Sequence, residues 1–208
     1  MKPVLLINPN SSDATTATMV AIAGRHLADV QGWTNRAAPM MITEPKALAV
    51  AADQVAGADL PEARGVIVAA FGDPGALALS QRLTCPVIGI GAAAARTAAA
   101  DGARFAVATT TAALRTSIDA LMCDFGTVGS YLGSFMTPGD PQDLLADPAA
   151  LDAALLDACA EARTAGAERV IIGGGPLAEA AARLTAQVDI PLVQPLPEAC
   201  KAIAAHLC

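Results

Sequence analysis

The chain carries VIVAAFGDPG at residues 66–75 and VIIGGGPL at residues 170–177. Both stretches begin with a short, continuous apolar run of the kind that forms a buried strand, and both stop at glycine and proline. A helical pattern follows each of them. We therefore interpret the two stretches as one structural unit that is used twice, with a binding site where the two strand ends face each other.

Strand patterns alternate with helix patterns along the whole chain. Strands are predicted at Lys2–Ile7, Thr34–Ala38, Gly65–Ala70, Pro86–Ile90, Phe105–Ala108, Val128–Ser134, Arg169–Ile172 and Pro191–Val193. Such alternation is typical of βαβ units and a mainly parallel sheet. The sequence therefore predicts an α/β fold with two pseudosymmetric lobes, each built on a mainly parallel four-stranded sheet that is flanked by helices.

Three connecting segments complete the predicted fold. The helix after the first strand is predicted to run from Asp13 to Val30, with Ser12 as its N-cap. A long alanine-rich helix is predicted over Pro148–Thr164. Residues 136–147 are rich in Pro, Gly and Asp, and they are predicted to form the longest loop.

Charge and composition argue against several classes of partner. The net charge is −7, no run of Lys or Arg occurs, and aromatic residues make up only 3% of the chain, so nucleic acid is not an expected partner. No apolar stretch reaches the roughly 18 residues that a membrane span needs. The start of the chain becomes polar too quickly for a signal peptide, which makes the cytoplasm the expected location. Alanine-rich helix faces favour self-association into a homo-oligomer.

The cysteines and glycines do not form a familiar cofactor site. The chain has five cysteines, which is an odd number, and it has no C-x-x-C pair. Neither a disulfide scaffold nor a structural zinc site is therefore expected. Neither glycine-rich turn has the spacing of a phosphate-binding motif. We expect no cofactor and no metal ion, and we interpret the thiols as buried structural groups.

Ligands of parallel α/β sheets bind beyond the carboxyl ends of the strands. This rule collects one group of candidate binding residues around a single cleft: Asn8, Asn10, Ser11, Ala70, Phe71, Gly72, Thr109, Thr110, Thr111, Gly174, Gly175 and Pro176. Several of these segments lead into helix N-termini, whose free backbone N–H groups suit a carboxylate or an oxyanion. The glycines also let a ligand approach the backbone closely. A small anionic or amide-like ligand fits this lining.

Two acidic residues are the candidates for acid–base chemistry at the cleft. Asp73 follows the first glycine-rich strand end, and Glu44 follows the second predicted strand. A carboxylate in a dry pocket can serve as a general acid or base because burial raises its pKa. The structural alternatives are that Asp73 caps a helix and that Glu44 is a solvated residue at a helix start. Both histidines, His26 and His206, lie away from the predicted strand ends.

Four segments together carry a resemblance to a known family. They are INPNSS at residues 7–12, AFGDPG at 70–75, VATTT at 107–111 and IIGGG at 171–175. In their order and spacing the chain resembles the aspartate/glutamate/hydantoin racemase superfamily, and within it the hydantoin and allantoin racemase branch. The resemblance implies two flavodoxin-like lobes with a cofactor-free active site in the cleft between them. It also implies that the C-terminal helix returns to the first lobe, so that lobe 1 comprises residues 1–91 and 194–208 and lobe 2 comprises residues 92–193.

The chain departs from this family at the reactive positions. The resemblance implies one cysteine at each of the two strand ends, where one thiolate removes the α-proton of the substrate and the opposite thiol returns a proton. In this chain the two positions are Ala70 and Gly174. Neither side chain can transfer a proton, so we expect that the chain does not use the two-thiol mechanism.

Three functions remain open at this point. The first is hydrolytic ring opening of a small cyclic amide, such as a lactam or a hydantoin, by a water molecule that Asp73 or Glu44 activates beside a backbone oxyanion hole. The second is a hydantoin or amino-acid racemase or epimerase that uses bases other than cysteine. The third is a non-catalytic protein that binds a small molecule.

Overall fold

The computed structural model describes residues 2–207 and contains two four-stranded sheets in which the paired strands are parallel. The first sheet has the order β2-β1-β3-β4, with β1 at Val4–Asn8, β2 at Val30–Thr34, β3 at Gly65–Val68 and β4 at Val87–Gly89. The second has the order β6-β5-β7-β8, with β5 at Phe105–Thr109, β6 at Tyr131–Met136, β7 at Arg169–Ile172 and β8 at Leu192–Val193. The predicted α/β class is confirmed.

Helices connect the strands and cover both faces of each sheet. They are α1 at Asp13–Ala23, α2 at Pro45–Gly57, α3 at Ala76–Arg82, α4 at Ile90–Ala98, α5 at Arg115–Phe125, α6 at Pro141–Ala146, α7 at Pro148–Thr164, α8 at Ala178–Leu184 and α9 at Pro195–Leu207. Within residues 2–207, none of these helices combines the length and the apolar character that a membrane crossing requires. Met1 and Cys208, the first and last residues of the predicted lobe 1, lie outside the described residues.

Alternate residues of the central strands pack on opposite helix layers. In β1, Leu6 packs with α1 and α9, whereas Leu5 packs with α2 and α3. In β5, Ala108 packs with α7 and α8, whereas Val107 packs with α4 and α5. Successive side chains of a strand point to opposite faces, so a strand buried on both faces must be apolar throughout. This requirement explains the continuous apolar runs of the central strands.

Helix α4 lies between the two sheets. It packs on α9 and β4 on one side and on α5, β7 and β8 on the other. Ala94, Ala95 and Ala98 are completely buried in these contacts. Alanine side chains let the neighbouring elements approach closely, which makes α4 a rigid element shared by both halves of the chain.

The second strand lies earlier in the chain than predicted. The predicted helix to Val30 ends at Ala23, and the predicted strand Thr34–Ala38 is replaced by β2 at Val30–Thr34. Strand β2 is an edge strand of its sheet and is mostly accessible, so it lacks the apolar run that marks the central strands. Its Gly32 lies under α1, where an added Cβ would stand only 2.7 Å from Cγ2 of Thr16.

The segment predicted as the longest loop contains helix α6. Asp140 caps this helix, because its carboxylate accepts hydrogen bonds from the N–H groups of Gln142 at 2.7 Å and Asp143 at 3.3 Å. Pro141 occupies the first helical position, where its missing N–H costs no hydrogen bond. Asp140 and Pro141, which lie in the segment predicted as a loop, therefore start a short helix.

Candidate functional site

A cavity of about 60 Å³ lies where the carboxyl ends of strands from both sheets meet. The ends of β1, β3, β5 and β7 each contribute residues to its wall. This volume exceeds the space that a single ordered water needs, so the cavity can hold several waters or a compact ligand. Its position agrees with the general location of ligand sites in parallel α/β sheets.

The structure brings most of the predicted binding residues together in this cavity. Its lining includes Asn10, Ala70, Phe71, Thr109, Thr110, Thr111, Gly174, Gly175 and Pro176. The other three predicted residues, Asn8, Ser11 and Gly72, do not line the cavity. Each lies within two residues of a lining residue in the chain.

Asn8 orients Asn10 from behind the cavity. The Asn8 carboxamide oxygen accepts the Asn10 N–H at 3.2 Å, and its Nδ2 donates to the Asn10 side-chain oxygen at 3.0 Å and to the Thr16 hydroxyl at 2.9 Å. The Asn10 oxygen also accepts the backbone N–H of Ser12 at 3.1 Å. These two donors fix which end of the Asn10 amide is the oxygen.

The orientation of Asn10 leaves its amide nitrogen available to a ligand. Asn10 is only 6% exposed and lines the cavity. Within residues 2–207, no hydrogen-bond acceptor contacts its Nδ2 group. The Nδ2 group is not among the fully buried polar atoms of residues 2–207 that lack a partner, so it is accessible to solvent. The amide of Asn10 is therefore a donor placed for a ligand or an ordered water.

The threonines at the end of β5 have different roles. Thr109 donates its hydroxyl to the carbonyl oxygen of Gly173 at 2.7 Å and so ties the end of β5 to the end of β7. Thr110 is 5% exposed and lines the cavity, and its hydroxyl makes no hydrogen bond within the described part of the chain. The Thr110 hydroxyl is the second polar group that is free to meet a ligand.

Backbone N–H groups add further donors at the two glycine-rich turns. Across residues 2–207, no protein acceptor contacts the N–H groups of Phe71, Gly72, Gly174 or Gly175. Phe71, Gly174 and Gly175 line the cavity. Backbone N–H groups that lack a protein partner commonly bind anions or carbonyl oxygens of ligands.

Close contacts between the two halves of the chain make glycine necessary at the end of β7. A Cβ added at Gly173 would stand 2.7 Å from Cε1 of Phe71. A Cβ added at Gly175 would stand 3.0 Å from the carbonyl oxygen of Ala69 and 3.1 Å from the sulfur of Met19. The side chain of Phe71 and the β3 end thus pack directly on the β7 turn, and this packing closes the floor of the cavity.

The two positions where the sequence resemblance implies cysteines both face the cavity. Ala70 contributes a methyl group to the lining. Gly174 has φ 141° and ψ 131°, a conformation that side-chain-bearing residues rarely adopt. None of the residues that line this cavity in the described chain has a titratable side chain.

The two acids predicted to be catalytic lie outside the lining. Asp73 directs its carboxylate to the N-terminus of α4, where its two oxygens accept the N–H groups of Gly91 at 2.8 Å and Ala92 at 2.7 Å. Glu44 is exposed at the start of α2, and its side chain makes no capping hydrogen bond. The structural role that the sequence left open for Asp73 is the one occupied here, with a different helix as the partner.

Burial changes the acidity of several groups away from the cavity. Burial raises the pKa of Asp73 to about 7, although the N–H groups of Gly91 and Ala92 and the positive charge of Arg96 act in the opposite direction. Burial also raises the pKa of the Cys159 thiol to about 11 and that of Cys200 to about 12. Both thiols are therefore protonated and unreactive near neutral pH.

An apolar wall of the cavity was not foreseen from the sequence. It consists of Met41, Ile42, Leu48, Leu114, Leu145 and Leu177. These side chains come from the segment before α2, from α2 itself, from α6 and from the turns that precede α5 and α8. The apolar run at residues 40–42 is a local signal for this wall. It lies in a segment that pairs with neither sheet, so its apolar side chains need another partner.

No metal site is evident in the described residues. Among residues 2–207, no group of three or more His, Cys, Asp or Glu side chains is placed to hold a metal ion. The polar groups of the cavity are instead amide, hydroxyl and backbone N–H donors. This donor set suits carbonyl or carboxylate oxygens of an organic ligand.

The comparisons with known proteins agree with this architecture. Residues 4–203 match the family described as Asp/Glu/Hydantoin racemase. Among solved structures, the chain is similar to the allantoin racemase of Klebsiella pneumoniae, with 25% identity, a TM-score of 0.88 and coverage of 100% of this chain and 88% of that one. The allantoin racemase of Pseudomonas fluorescens has 23% identity and a TM-score of 0.89, with coverage of 99% and 90%.

More distant structures share the fold. The glutamate racemase of Francisella tularensis in complex with D-glutamate has 13% identity and a TM-score of 0.70, with coverage of 99% of this chain and 81% of that one. No curated protein sequence matches the chain significantly. Because the family match spans nearly the whole chain, the chain belongs to the Asp/Glu/hydantoin racemase family.

Proposed function

We propose that the protein binds a small cyclic amide of the hydantoin type in the cavity between the strand ends, and that it does so without the two-thiol proton transfer of racemases. The observation that carries this proposal is the composition of the cavity wall, which among residues 2–207 offers hydrogen-bond donors and apolar surface but no titratable side chain. A wall of this kind can bind and orient a ligand, but it supplies no acid or base for proton transfer.

The donors favour a ligand with carbonyl oxygens. Asn10 offers an amide N–H, Thr110 offers a hydroxyl, and Gly174 and Gly175 offer backbone N–H groups. A carboxylate could accept from the same groups, but no cationic side chain of the described residues lines the cavity to balance its charge. A neutral cyclic amide satisfies the donors without placing an uncompensated charge in the site.

The apolar wall favours a ligand that also has an apolar or flat face. Leu48, Leu114 and Leu145 lie around the cavity together with the ring of Phe71. Small-molecule sites typically combine such a surface with a few polar groups that fix the orientation of the ligand. The similarity to two allantoin racemases supports allantoin and related hydantoins as the first compounds to test.

Racemisation would need acid–base groups on both faces of one carbon atom. Ala70 and Gly174 occupy the two positions where the family resemblance implies thiols, and neither has an exchangeable side-chain proton. Asp73 binds the N-terminus of α4, and Glu44 is exposed. These placements favour ligand binding over two-base racemisation.

Hydrolytic ring opening is the second candidate function. The observation that favours it is the set of unpaired backbone N–H groups at Phe71 and at Gly174 and Gly175, which would stabilise an oxyanion on an attacked carbonyl. The small side chains at positions 70 and 174 leave space for a water molecule. The reaction would then depend on a base outside the cavity lining.

One experiment separates these functions. Each enantiomer of allantoin and of 5-methylhydantoin is titrated into the protein by calorimetry, and the same mixtures are followed by chiral chromatography and by detection of the ring-opened product. We expect saturable binding with no racemisation above the rate in buffer. Ring-opened product would support the second candidate, whereas an absence of binding to all of these compounds would contradict the proposal.

A matched pair of variants tests whether the cavity is the binding site. Thr110→Val removes a hydroxyl from the cavity and is expected to weaken binding by about five- to thirtyfold, because a ligand acceptor then loses its partner. Thr137→Val is the control, because Thr137 is also 5% exposed and its hydroxyl also lacks a partner, but this hydroxyl is fully buried and Thr137 does not line the cavity. Equal affinities of the two variants would place the ligand elsewhere.

A further inference from the structure

The turn that forms one wall of the cavity is held by an unusual residue. Asp73 has φ 49°, a left-handed conformation that non-glycine residues rarely adopt. Its N–H donates to the carbonyl oxygen of Ala70 at 3.0 Å, and its own carbonyl oxygen accepts the N–H of Ala76 at 3.1 Å. The turn from Ala70 to Ala76 is thereby closed on itself with the Asp73 side chain directed outward to α4.

Two glycines make space for this carboxylate. A Cβ added at Gly89 would stand 2.2 Å from both Cγ and Oδ2 of Asp73, and a Cβ added at Gly91 would stand 3.2 Å from Oδ1. No residue larger than glycine fits at position 89 while the carboxylate remains in place. The sequence Gly89-Ile90-Gly91 is therefore a cradle at the N-terminus of α4, and the Asp73 carboxylate fills it.

The cradle lies at the start of α4, the helix that packs between the two sheets. Seven residues of α4 are buried, Ala92 and Ala95 among them. A turn that is tied to α4 is thus tied to both halves of the chain. The same turn supplies Ala70 and Phe71 to the cavity, so the position of the cavity wall depends on a contact made outside the cavity.

We propose that Asp73 is a positioning residue, whose carboxylate latches the turn after β3 into the Gly89 and Gly91 cradle and so holds the cavity in its ligand-binding shape. This inference rests on the proposed function of the cavity. It assigns Asp73 an action through Ala70, Phe71 and the unpaired N–H groups of the turn, and no contact with the ligand.

The test compares three ways of breaking the latch. Asp73→Ala removes both acceptors and is expected to weaken the affinity for allantoin by about tenfold or more. Asp73→Asn keeps one acceptor and is expected to give an intermediate loss. Gly89→Ala expels the carboxylate from the cradle and is expected to match Asp73→Ala, with no further loss in the double variant because both changes break the same contact.

The control is Asp124→Ala. Asp124 is exposed and lines a second cavity, outside the candidate site, to which Asp73 and Arg96 also contribute. It makes no hydrogen bond to Asp73, Gly91 or Ala92. We expect its affinity for allantoin to equal that of the native protein. An equal loss in Asp124→Ala and Asp73→Ala would overturn the proposal, because it would trace the effect to the charge of this region and not to the latch.

A spectroscopic measurement keeps this test separate from the proposed function. The backbone N–H groups of Gly91 and Ala92 donate to the Asp73 carboxylate, and neither residue lines the cavity. In the native protein we nevertheless expect saturating allantoin to shift the amide resonances of both residues. If neither allantoin nor the hydantoins bind, the proposed function fails. The latch is then tested by amide hydrogen exchange, which should be faster at Gly91 and Ala92 in Asp73→Ala than in the native protein. If allantoin binds with native affinity to Asp73→Ala and Gly89→Ala, the latch fails and the proposed function stands.

Discussion

The ring of Phe71 in the first half of the chain lies directly against the α-carbon of Gly173 in the second half. The separation is so small that a Cβ at position 173 would stand 2.7 Å from Cε1 of the ring and 3.0 Å from Cγ1 of Val107. Both residues line the candidate site. The two glycine-rich strand ends therefore meet in direct contact, and the cavity is the space that remains beside this contact.

Gly173→Ala tests this contact. The added methyl group must push the Phe71 ring or the β7 turn aside, and overpacking of this kind costs about 1–3 kcal/mol of unfolding free energy. We also expect ligand binding to be weakened, since Phe71 forms part of the wall. Denaturant unfolding and calorimetric titration measure the two effects.

Gly57→Ala is the matched control for that variant. Gly57 lies at the end of α2, and an added Cβ would meet nothing within 4 Å. The expected result is an unchanged or slightly increased free energy of unfolding, because alanine favours the helix. A loss at Gly57→Ala as large as that at Gly173→Ala would contradict the steric explanation.

Position 174 is expected to resist restoration of a thiol. Gly174 has φ 141°, and its added Cβ would approach Cγ and Cδ1 of Leu177 at 3.2 and 3.3 Å. Gly174→Cys should therefore lower the free energy of unfolding by about 1–3 kcal/mol, because the backbone conformation is strained for any side chain. A variant with native thermal stability would show that the turn adapts readily.

Position 70 is expected to accept a thiol without such strain. Alkylation by iodoacetamide should label Ala70→Cys, and a saturating hydantoin should slow this labelling because residue 70 lines the cavity. Cys123 is exposed and outside the cavity, so its labelling is the internal control and should not respond to ligand. Ligand protection of Cys123 alone would argue for a different binding site.

The raised pKa of Asp73 predicts a pH dependence of stability with a definite sign. Burial raises this pKa from the ordinary value of 3.8 to about 7 in the folded protein. Between these two values the folded state binds more protons than the unfolded state, so the free energy of unfolding falls as the pH rises through this window. The effect is about 4 kcal/mol over the full range.

Urea unfolding of the native protein and of Asp73→Asn at about pH 4, 5.5 and 7 isolates this contribution. We subtract the unfolding free energy of the variant from that of the native protein. This difference should decrease as the pH rises from about 4 to about 7. Asp152, whose pKa the hydrogen bond from Arg183 lowers, is present in both proteins and cancels from the difference. A difference that is constant with pH would show that Asp73 does not titrate in this range.

The central strands, the long helix and the edge strands β4 and β8 were predictable from the sequence, whereas the edge strand β2 and helix α6 were not. Helix Pro148–Thr164 and strand Arg169–Ile172 have the same bounds in the prediction and in the structure. Strand β2 was placed several residues too late, because an edge strand with accessible side chains needs no continuous apolar run. Helix α6 was missed because Asp and Pro, which are frequent in loops, also start helices, as Asp140 and Pro141 do here.

The site divides in the same way. Lining residues such as Asn10 and Gly174 follow strand ends, so the topology of a parallel sheet is sufficient to collect them. Leu48 and Leu145 reach the cavity from α2 and α6, and no local pattern indicates which face of a helix will meet a cavity formed by other elements. The direction of the Asp73 side chain depends on Gly89, which lies in a later strand.

We propose that this cavity binds a cyclic amide without proton transfer at the stereogenic carbon of the ring. The most direct measurement follows deuterium incorporation at that carbon of enantiopure allantoin in D₂O by proton NMR, with saturating protein and with buffer alone. We predict line broadening that demonstrates binding, together with an exchange rate equal to that in buffer. Protein-accelerated deuterium incorporation would contradict this expectation, because acceleration requires an acid–base group that the cavity wall formed by residues 2–207 does not contain.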